Sequence, residues 1–235
     1  MKILFTKGLV MKLYDNLFCI GTLFVCLFWI KPAHAENQKI NVKLDQQKLN
    51  AGEIQTFTQN FDTDGKHKRV IGVMLIDAPV SRVWKVLEDW DTMSEFVDTL
   101  EYYKTVQVLT PVGTDQVRES LIEGLLKVAF IKIRYTLKVT FDEKNLSQRW
   151  CLVKENDIQE YAKQNIKVNQ SSAILKNIKK FEYIKPYKKK EKTIYYYAPI
   201  VEVSGPIPEW AERKISKSSL KEYMEGVKIK TEQMK

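Results

Sequence analysis

The sequence predicts an α+β domain in which a curved antiparallel β-sheet wraps around one long C-terminal helix. Three observations carry this. Lys127 to Phe141 alternates with a period of two: Ala129, Ile131, Ile133, Tyr135, Leu137, Val139 and Phe141 share one face, and Lys132, Arg134, Thr136, Lys138 and Thr140 share the other. That pattern requires a sheet with one buried and one wet face. Further strand-like runs surround it, punctuated by turn formers such as Asp142-Glu143-Lys144-Asn145. Finally, one long amphipathic stretch, Glu209 to Lys228, follows Gly205-Pro206-Ile207-Pro208. Such a helix must bury its apolar stripe on the concave face of the sheet.

The chain opens with a leader. Lys2, Lys7 and Lys12 form a basic region in which Asp15 is the only acid, and Leu17 to Ile30 is a 14-residue apolar run. A membrane span needs about 20 residues. Ala33-His34-Ala35 supplies a small-x-small cleavage pattern, so residues 1–35 are expected to be a signal peptide cut after Ala35, leaving a periplasmic or secreted protein. The alternative is an uncleaved N-terminal membrane anchor. Residues 36–52 are polar and read as a flexible lead-in, and residues 53–230 as one domain.

Composition narrows the partners. The whole chain carries 38 basic and 29 acidic residues, and residues 36–235 carry 34 and 28, a modest +6. Nucleic acid is not an expected partner of an exported domain with this charge, whereas anionic lipid remains one. Two cysteines leave with the leader, so Cys151 has no internal disulfide partner and reads as a small buried hydrophobe. The 200 remaining residues are enough for one sizeable core.

In order along the domain, Glu53 to Phe61 and Lys68 to Asp77 form a hairpin about Asp62-Thr63-Asp64-Gly65, where Gly65 supplies the positive φ. Pro79 breaks the second strand. Ser81 is the expected N-cap of a short helix to Glu88, with Val83, Trp84 and Leu87 at helical spacing. Asp89-Trp90-Asp91 interrupts it, and Met93 to Phe96 adds one turn. Tyr102 to Thr110 is a strand closed by Pro111 to Asp115, and Gln116 to Glu123 follows, with a bend at Gly124. After the Lys127 to Phe141 strand, Leu146 to Val153 returns with Gln148, Trp150 and Leu152 in one register. Residues 154–173 break the pattern as a short helix, an insertion or an ordered flap. Ile174 to Lys185 and Thr193 to Val203 are strands around a lysine-rich hairpin tip, Lys185 to Lys192.

Enzymatic constellations are scarce. The histidines are His34, in the leader, and His67, beside a turn. No transition-metal cluster and no Ser-His-Asp or Cys-His arrangement has local spacing to support it. Asp62 to Gly65 lacks the later ligands of a calcium loop. No cofactor and no catalytic residue is expected. What remains is a mostly apolar cavity between helix and sheet with a few polar groups. The candidate ligand contacts are Trp90, Tyr135, Trp150, Tyr195, Tyr197 and Tyr223, since a tyrosine ring supplies apolar area and its hydroxyl orients a ligand. Arg118 and Arg134 are candidate polar anchors. The Lys185–Lys192 tip is a candidate for transient contact with anionic head groups.

Three stretches resemble the START-like superfamily, also called SRPBCC or helix-grip proteins, and within it the polyketide cyclase/dehydrase and coenzyme Q-binding START-type group. IGVMLIDAPVSRVWKVLEDWDTMSEFVDTL at 71–100 is similar to that group's strand, Ala-Pro turn, tryptophan-bearing helix and Asp-Trp with a following short helix. KIRYTLKVTFDEKNLSQRWCLV at 132–153 resembles its paired central strands, and EKTIYYYAPIVEVSGPIPEW at 191–210 its last strand and the Pro-flanked approach to the closing helix. The resemblance implies a helix-grip fold with a hydrophobic cavity. It implies a monomeric carrier of a lipid, quinone or sterol-like molecule, or alternatively a cyclase/aromatase-type enzyme. A non-binding partner module is the third reading.

Overall fold

The computed structural model describes residues 40–60, 68–110, 116–128, 131–189, 191–203 and 219–234. Several expectations lie outside the described residues: the leader 1–35, the turns at Asp62–Gly65 and Pro111–Asp115, His67, Ala129 and Phe130, the Gly205–Pro208 linker, and residues 209–218 of the expected helix. Packing divides the chain into Met1–Val42 and Lys43–Lys235, and every element below belongs to the second unit.

Eight strands form one antiparallel sheet: β1 (Gln55–Asn60), β2 (Lys68–Ile76), β3 (Leu100–Thr110), β4 (Val117–Val128), β5 (Ile131–Asp142), β6 (Ser147–Leu152), β7 (Leu175–Tyr187) and β8 (Lys192–Val203). Their order is β1-β2-β8-β7-β6-β5-β4-β3, curved around the C-terminal helix. The helices are α1 (Gln46–Asn50), α2 (Val80–Glu88), α3 (Glu155–Lys163) and α4 (Ser219–Gln233), with a 3-10 segment at Trp90–Glu95.

The period-two reading of β5 holds. Ile133, Tyr135, Leu137, Val139 and Phe141 are buried on the inner face, while Lys132 and Arg134 are exposed on the outer. The expected 127–141 strand is, however, two strands: β4 ends at Val128 and β5 starts at Ile131, so the hairpin falls inside that run. Gly124 is not a bend. It sits mid-strand between Tyr103 and Tyr135, where a Cβ would lie 2.5 Å from Cε1 of Tyr103 and 2.9 Å from Cζ of Tyr135. A glycine is needed there to admit two tyrosine rings, not to turn the chain. On the sheet's outer edge, β3 carries three register irregularities, a common device of unpaired edges.

The N-cap of α2 is Pro79, not Ser81. Pro79 is extended, with φ −66° and ψ 153°, and its carbonyl accepts from the N–H groups of Arg82 and Val83. Ser81 lies inside the helix and is exposed. The apolar face of α2 buries Val83, Trp84, Val86 and Leu87. Two buried hydrogen bonds then seat it across one end of the sheet. The Gln148 side-chain amide donates to the Leu87 carbonyl at 2.7 Å, and the Thr193 hydroxyl donates to the Ala78 carbonyl at 2.7 Å.

Within the stretch read as a flexible lead-in, α1 is capped by the Asp45 carboxylate and fully buries Leu49. The lysine-rich hairpin leans on this helix: the Tyr187 hydroxyl donates to Oδ1 of Asn50 at 3.2 Å, and Nζ of Lys188 does so at 3.4 Å. The segment 154–173 combines two of its expected forms. Its first half is α3, and its second half is an ordered flap on the outer face of β5. There the N–H of Ser172 donates to the Arg134 carbonyl at 2.7 Å, and the N–H of Arg134 donates to Oγ of Ser172 at 2.9 Å. This flap continues the pairing of β5 where the short β6 stops.

The inner face is sealed by α4, which buries Leu220, Tyr223, Met224 and Val227, the stripe expected from sequence. Its sides are clamped by polar contacts. The Thr99 N–H donates to Glu222 at 2.8 Å, the Asp77 N–H donates to Glu232 at 2.9 Å, and Lys230 meets Glu95 at 2.5 Å. The helix rests on β2 where Gly72 leaves space, since a Cβ there would lie 2.3 Å from Sδ of Met224.

Candidate functional site

Between α4 and the sheet, aromatic side chains gather from six elements. Trp150 of β6 is central. Its ring centroid lies 4.3 Å from that of Trp90 in the 3-10 segment, 5.8 Å from Tyr223 of α4 and 6.1 Å from Tyr197 of β8. Tyr197 and Tyr223 are 4.7 Å apart, and Tyr195 joins Tyr197 at 6.2 Å. Tyr135 of β5 enters through Tyr103 of β3: the two hydroxyls share a hydrogen bond of 2.8 Å, and Tyr103 packs on Trp90 at 4.9 Å. All six aromatic candidates are thus buried in one connected cluster.

Burial holds every phenol of this cluster above its ordinary range, so the hydroxyls stay protonated at neutral pH. They are hydrogen-bonding groups, not bases. The indole N–H groups of Trp90 and Trp150 are buried and have no hydrogen-bond partner. Buried polar groups are nearly always paired; Ser120 Oγ, Gln148 Oε1 and Glu182 Oε1 on the inner face are likewise buried without a partner, so the interior holds unsatisfied acceptors as well as these two donors.

Two inner-face rows of cross-strand neighbours complete the site. One runs Arg118, Phe141, Gln148, Glu182, Tyr197 and Gly72 from β4 to β2, and the next runs Ser120, Val139, Trp150, Lys180 and Pro199. Glu182 is fully buried and its carboxylate accepts from the Tyr195 hydroxyl. Burial pushes its pKa up to about 8 against the opposing hydrogen bond and the charge of Lys180. Lys180 is pushed down to about 8 by the same desolvation, partly offset by Glu182. Its ammonium lies 4.6 Å from the Trp150 ring centroid and 5.8 Å from that of Tyr197, within reach of cation–π attraction.

The arginine candidates lie elsewhere. Arg118 is on the inner register, but its guanidinium is tied to Glu88 at the end of α2, at 3.0 Å, and stacks on Phe141 at 3.9 Å. It braces the closed end of the sheet. Arg134 points to the outer face, in the register of Leu125 and exposed, interacting with the Glu123 charge; the sheet separates it from the interior. Cys151, expected to be buried, is exposed on the outer register opposite Lys138.

Sequence reasoning missed Tyr103, Gln148, Glu182 and Lys180. For the last two a signal existed: Lys180 and Glu182 share the register of Ile178 and Ile184, so charge was interleaved with aliphatics on one strand face. A separate groove of about 620 Å³ runs between the β1–β2 edge and α4, lined by Ile54, Thr56, Met74, Leu220 and Lys228 among others. It touches the aromatic cluster through Met74, the register partner of Tyr195.

No protein-family model and no curated protein matches the chain. Solved structures do. A START superfamily protein from Mycobacterium smegmatis superposes with a TM-score of 0.53 at 13% identity, covering 71% of this chain and 99% of that one. A STAR-related lipid transfer protein fragment from Xanthomonas axonopodis gives 0.52 at 12%, covering 77% and 94%. The Zhui aromatase/cyclase from Streptomyces sp. R1128 gives 0.51 at 12%, covering 70% and 93%. At these identities the likeness is one of architecture. The chain has the helix-grip, START-like fold.

Proposed function

We propose that the protein is an exported carrier or binding protein for a hydrophobic small molecule of lipid, quinone or sterol-like character, held between α4 and the inner face of the sheet. The observation that carries this reading is the pair of buried indole N–H groups at Trp90 and Trp150, unpartnered in an aromatic cluster beside the equally unpartnered Ser120 Oγ, Gln148 Oε1 and Glu182 Oε1. A bound molecule with a polar group would supply their acceptor. The lipid-transfer and START names of two fold neighbours support it. In this reading Trp90, Tyr135, Trp150, Tyr195, Tyr197 and Tyr223 contact the ligand. The decisive experiment is organic extraction of the natively purified protein followed by mass spectrometry. A stoichiometric hydrophobic molecule is the expected result, and repeated recovery of empty, folded protein would favour a non-binding partner module.

Export, monomeric action and membrane contact belong to the same proposal. N-terminal sequencing of the exported protein is expected to begin at Glu36, and an intact Met1 or Met11 would indicate an anchor. Sedimentation equilibrium is expected to give the mass of one chain. The Lys185–Lys192 hairpin is expected to favour anionic over zwitterionic vesicles, and Lys188→Glu with Lys189→Glu to abolish the difference.

One observation favours an enzyme as the second reading. Glu182, with a pKa near 8, carries its proton at neutral pH and has the character of a general acid, as a cyclase/aromatase would need. Turnover of a candidate polyketide, lost in Glu182→Gln and weakened in Tyr197→Phe, is the test.

A further inference from the structure

We propose that Lys180 anchors the head group of the ligand, and that this ligand is an amphiphile carrying a single anionic oxygen group, a carboxylate or a phosphate monoester, on a hydrocarbon tail. This rests on the hydrophobic-ligand reading above and specifies which end of the molecule meets which residue.

Placement comes first. Lys180 is flanked on the inner face by Trp150 and Pro199, so strand alternation directs it under α4 and away from the outer solvent. Most of its neighbours there are sealed: Glu182 and Tyr195 are 0% exposed, Trp150 1% and Tyr197 2%. Lys180 and its flanking Pro199 are half-buried. They therefore mark the point where the aromatic interior keeps accessible surface.

Partnership comes second. Among the described residues no carboxylate lies within ion-pair distance of the Lys180 ammonium, and its neighbours are the faces of two rings. Glu182, two positions along the same strand face, is engaged through one oxygen by the Tyr195 hydroxyl, its other oxygen being unpartnered, and is biased towards its neutral form by burial. A partly desolvated cation without an ion-pair partner is costly, and ring faces compensate only in part. An incoming anion would complete the balance.

Donor count comes third. The indole N–H of Trp150, on the residue directly across from Lys180, is buried and unpartnered, and so is that of Trp90, whose ring lies 4.3 Å from Trp150. A cation and two N–H donors from adjoining side chains match an oxyanion, which only accepts. A neutral carbonyl or hydroxyl ligand would use the indoles but leave Lys180 unanswered. The tail would lie along Tyr197, Tyr223 and Tyr135.

The test is calorimetric titration of the full chain at pH 7 with oleate, oleyl phosphate and oleyl alcohol, each below its aggregation threshold. One or both anionic probes are expected to bind about ten- to a hundredfold tighter than the alcohol, the scale of a charge-assisted hydrogen bond; which one leads identifies the head group. Lys180→Met, similar in length and uncharged, is expected to erase that gap while leaving alcohol binding within about threefold, and Lys180→Arg to retain it. Equal binding of the three probes by the wild type overturns the anchor and leaves the hydrophobic-ligand reading standing. A gap that survives Lys180→Met does the same. Failure of all three probes to bind overturns the anchored amphiphile, and the hydrophobic-ligand reading then stands or falls on the extraction experiment alone.

Discussion

Gly226 offers the sharpest test of how α4 meets the segment Trp90–Phe96, the 3-10 turn and its C-cap residue, which form a lip against that helix. Replacing a helical glycine by alanine ordinarily stabilises a helix by about 1 kcal/mol. Here the added Cβ would sit 2.4 Å from the Phe96 carbonyl oxygen and 2.8 Å from Cδ2 of the Phe96 ring. The ring is a side chain that can shift, whereas the carbonyl is backbone. Phe96 and Val97 both donate their N–H groups to the Met93 carbonyl, and Val97 is itself buried, so moving the peptide drags the lip with it. Overpacking costs about 1–3 kcal/mol, and a clash with backbone belongs in the upper part of that range, about 2–3 kcal/mol, which outweighs the propensity gain. The net expectation for Gly226→Ala is a loss of about 1–2 kcal/mol, or roughly 2–8 °C in Tm for a domain of this size. Urea unfolding followed by tryptophan fluorescence reads it directly. Because the closest contact is to backbone, Phe96→Ala in the same chain should not recover the loss. A midpoint unchanged or raised in Gly226→Ala would refute the helix–lip contact.

Other consequences follow from the same geometry. Gly124→Ala should destabilise more than Gly72→Ala in urea titrations, because two tyrosine rings are less able to yield than the thioether of Met224; equal losses would count against the packed Tyr103–Tyr135 pair. Thr193→Val removes the donor to the buried Ala78 carbonyl and is expected to cost about 1–3 kcal/mol of unfolding free energy, whereas a loss below measurement error would show that α2 is held otherwise. Glu182 binds its proton more tightly folded than unfolded, so between pH 4.5 and about 8 the folded chain keeps a proton that the unfolded chain releases. Stability should fall as pH rises through that window, and Glu182→Gln should flatten the slope; an unaltered pH profile in the variant would rule out a buried, proton-retaining Glu182.

How much of this was legible beforehand depends on what each residue has to do. β5 announces itself because one face is buried and the other wet, so its period survives in the residues. The stripe on α4 is visible for the same reason. The β4–β5 hairpin was hidden inside an apparently continuous run, since Val128 and Phe130 preserve apolar character through the turn. Gly124 was misread because a glycine that admits neighbouring rings is indistinguishable in sequence from one that bends a strand. The inward placement of the aromatic candidates was legible because each sits on an apolar register. Tyr103 was not, because Tyr102 and Tyr103 are consecutive and only the sheet decides which faces inward. Arg118 and Arg134 were proposed together as anchors and separate completely: one is spent on Glu88 and Phe141, and the other lies on the opposite side of the sheet.

That separation bears on where a ligand's polar end belongs. Three side chains of the inner face can carry full charge in adjoining rows: Arg118, Glu182 and Lys180. Arg118 is answered by a carboxylate at 3.0 Å and a ring at 3.9 Å, at the end that α2 closes with two buried hydrogen bonds. Glu182 is answered on one oxygen by the Tyr195 hydroxyl and by its own proton. Among the described residues Lys180 has no ion pair; its direct neighbours are ring faces, and Glu182 offsets its desolvation only in part. Desolvating a charge is expensive enough that folded chains rarely leave one so placed without a compensating group, and an arginine already holding a carboxylate has little to gain from a ligand. The closed end of the sheet is therefore structural, and the charge that stays chemically available lies one row further in, against Trp150. A head group bound there would place its tail along the tyrosines and beneath α4.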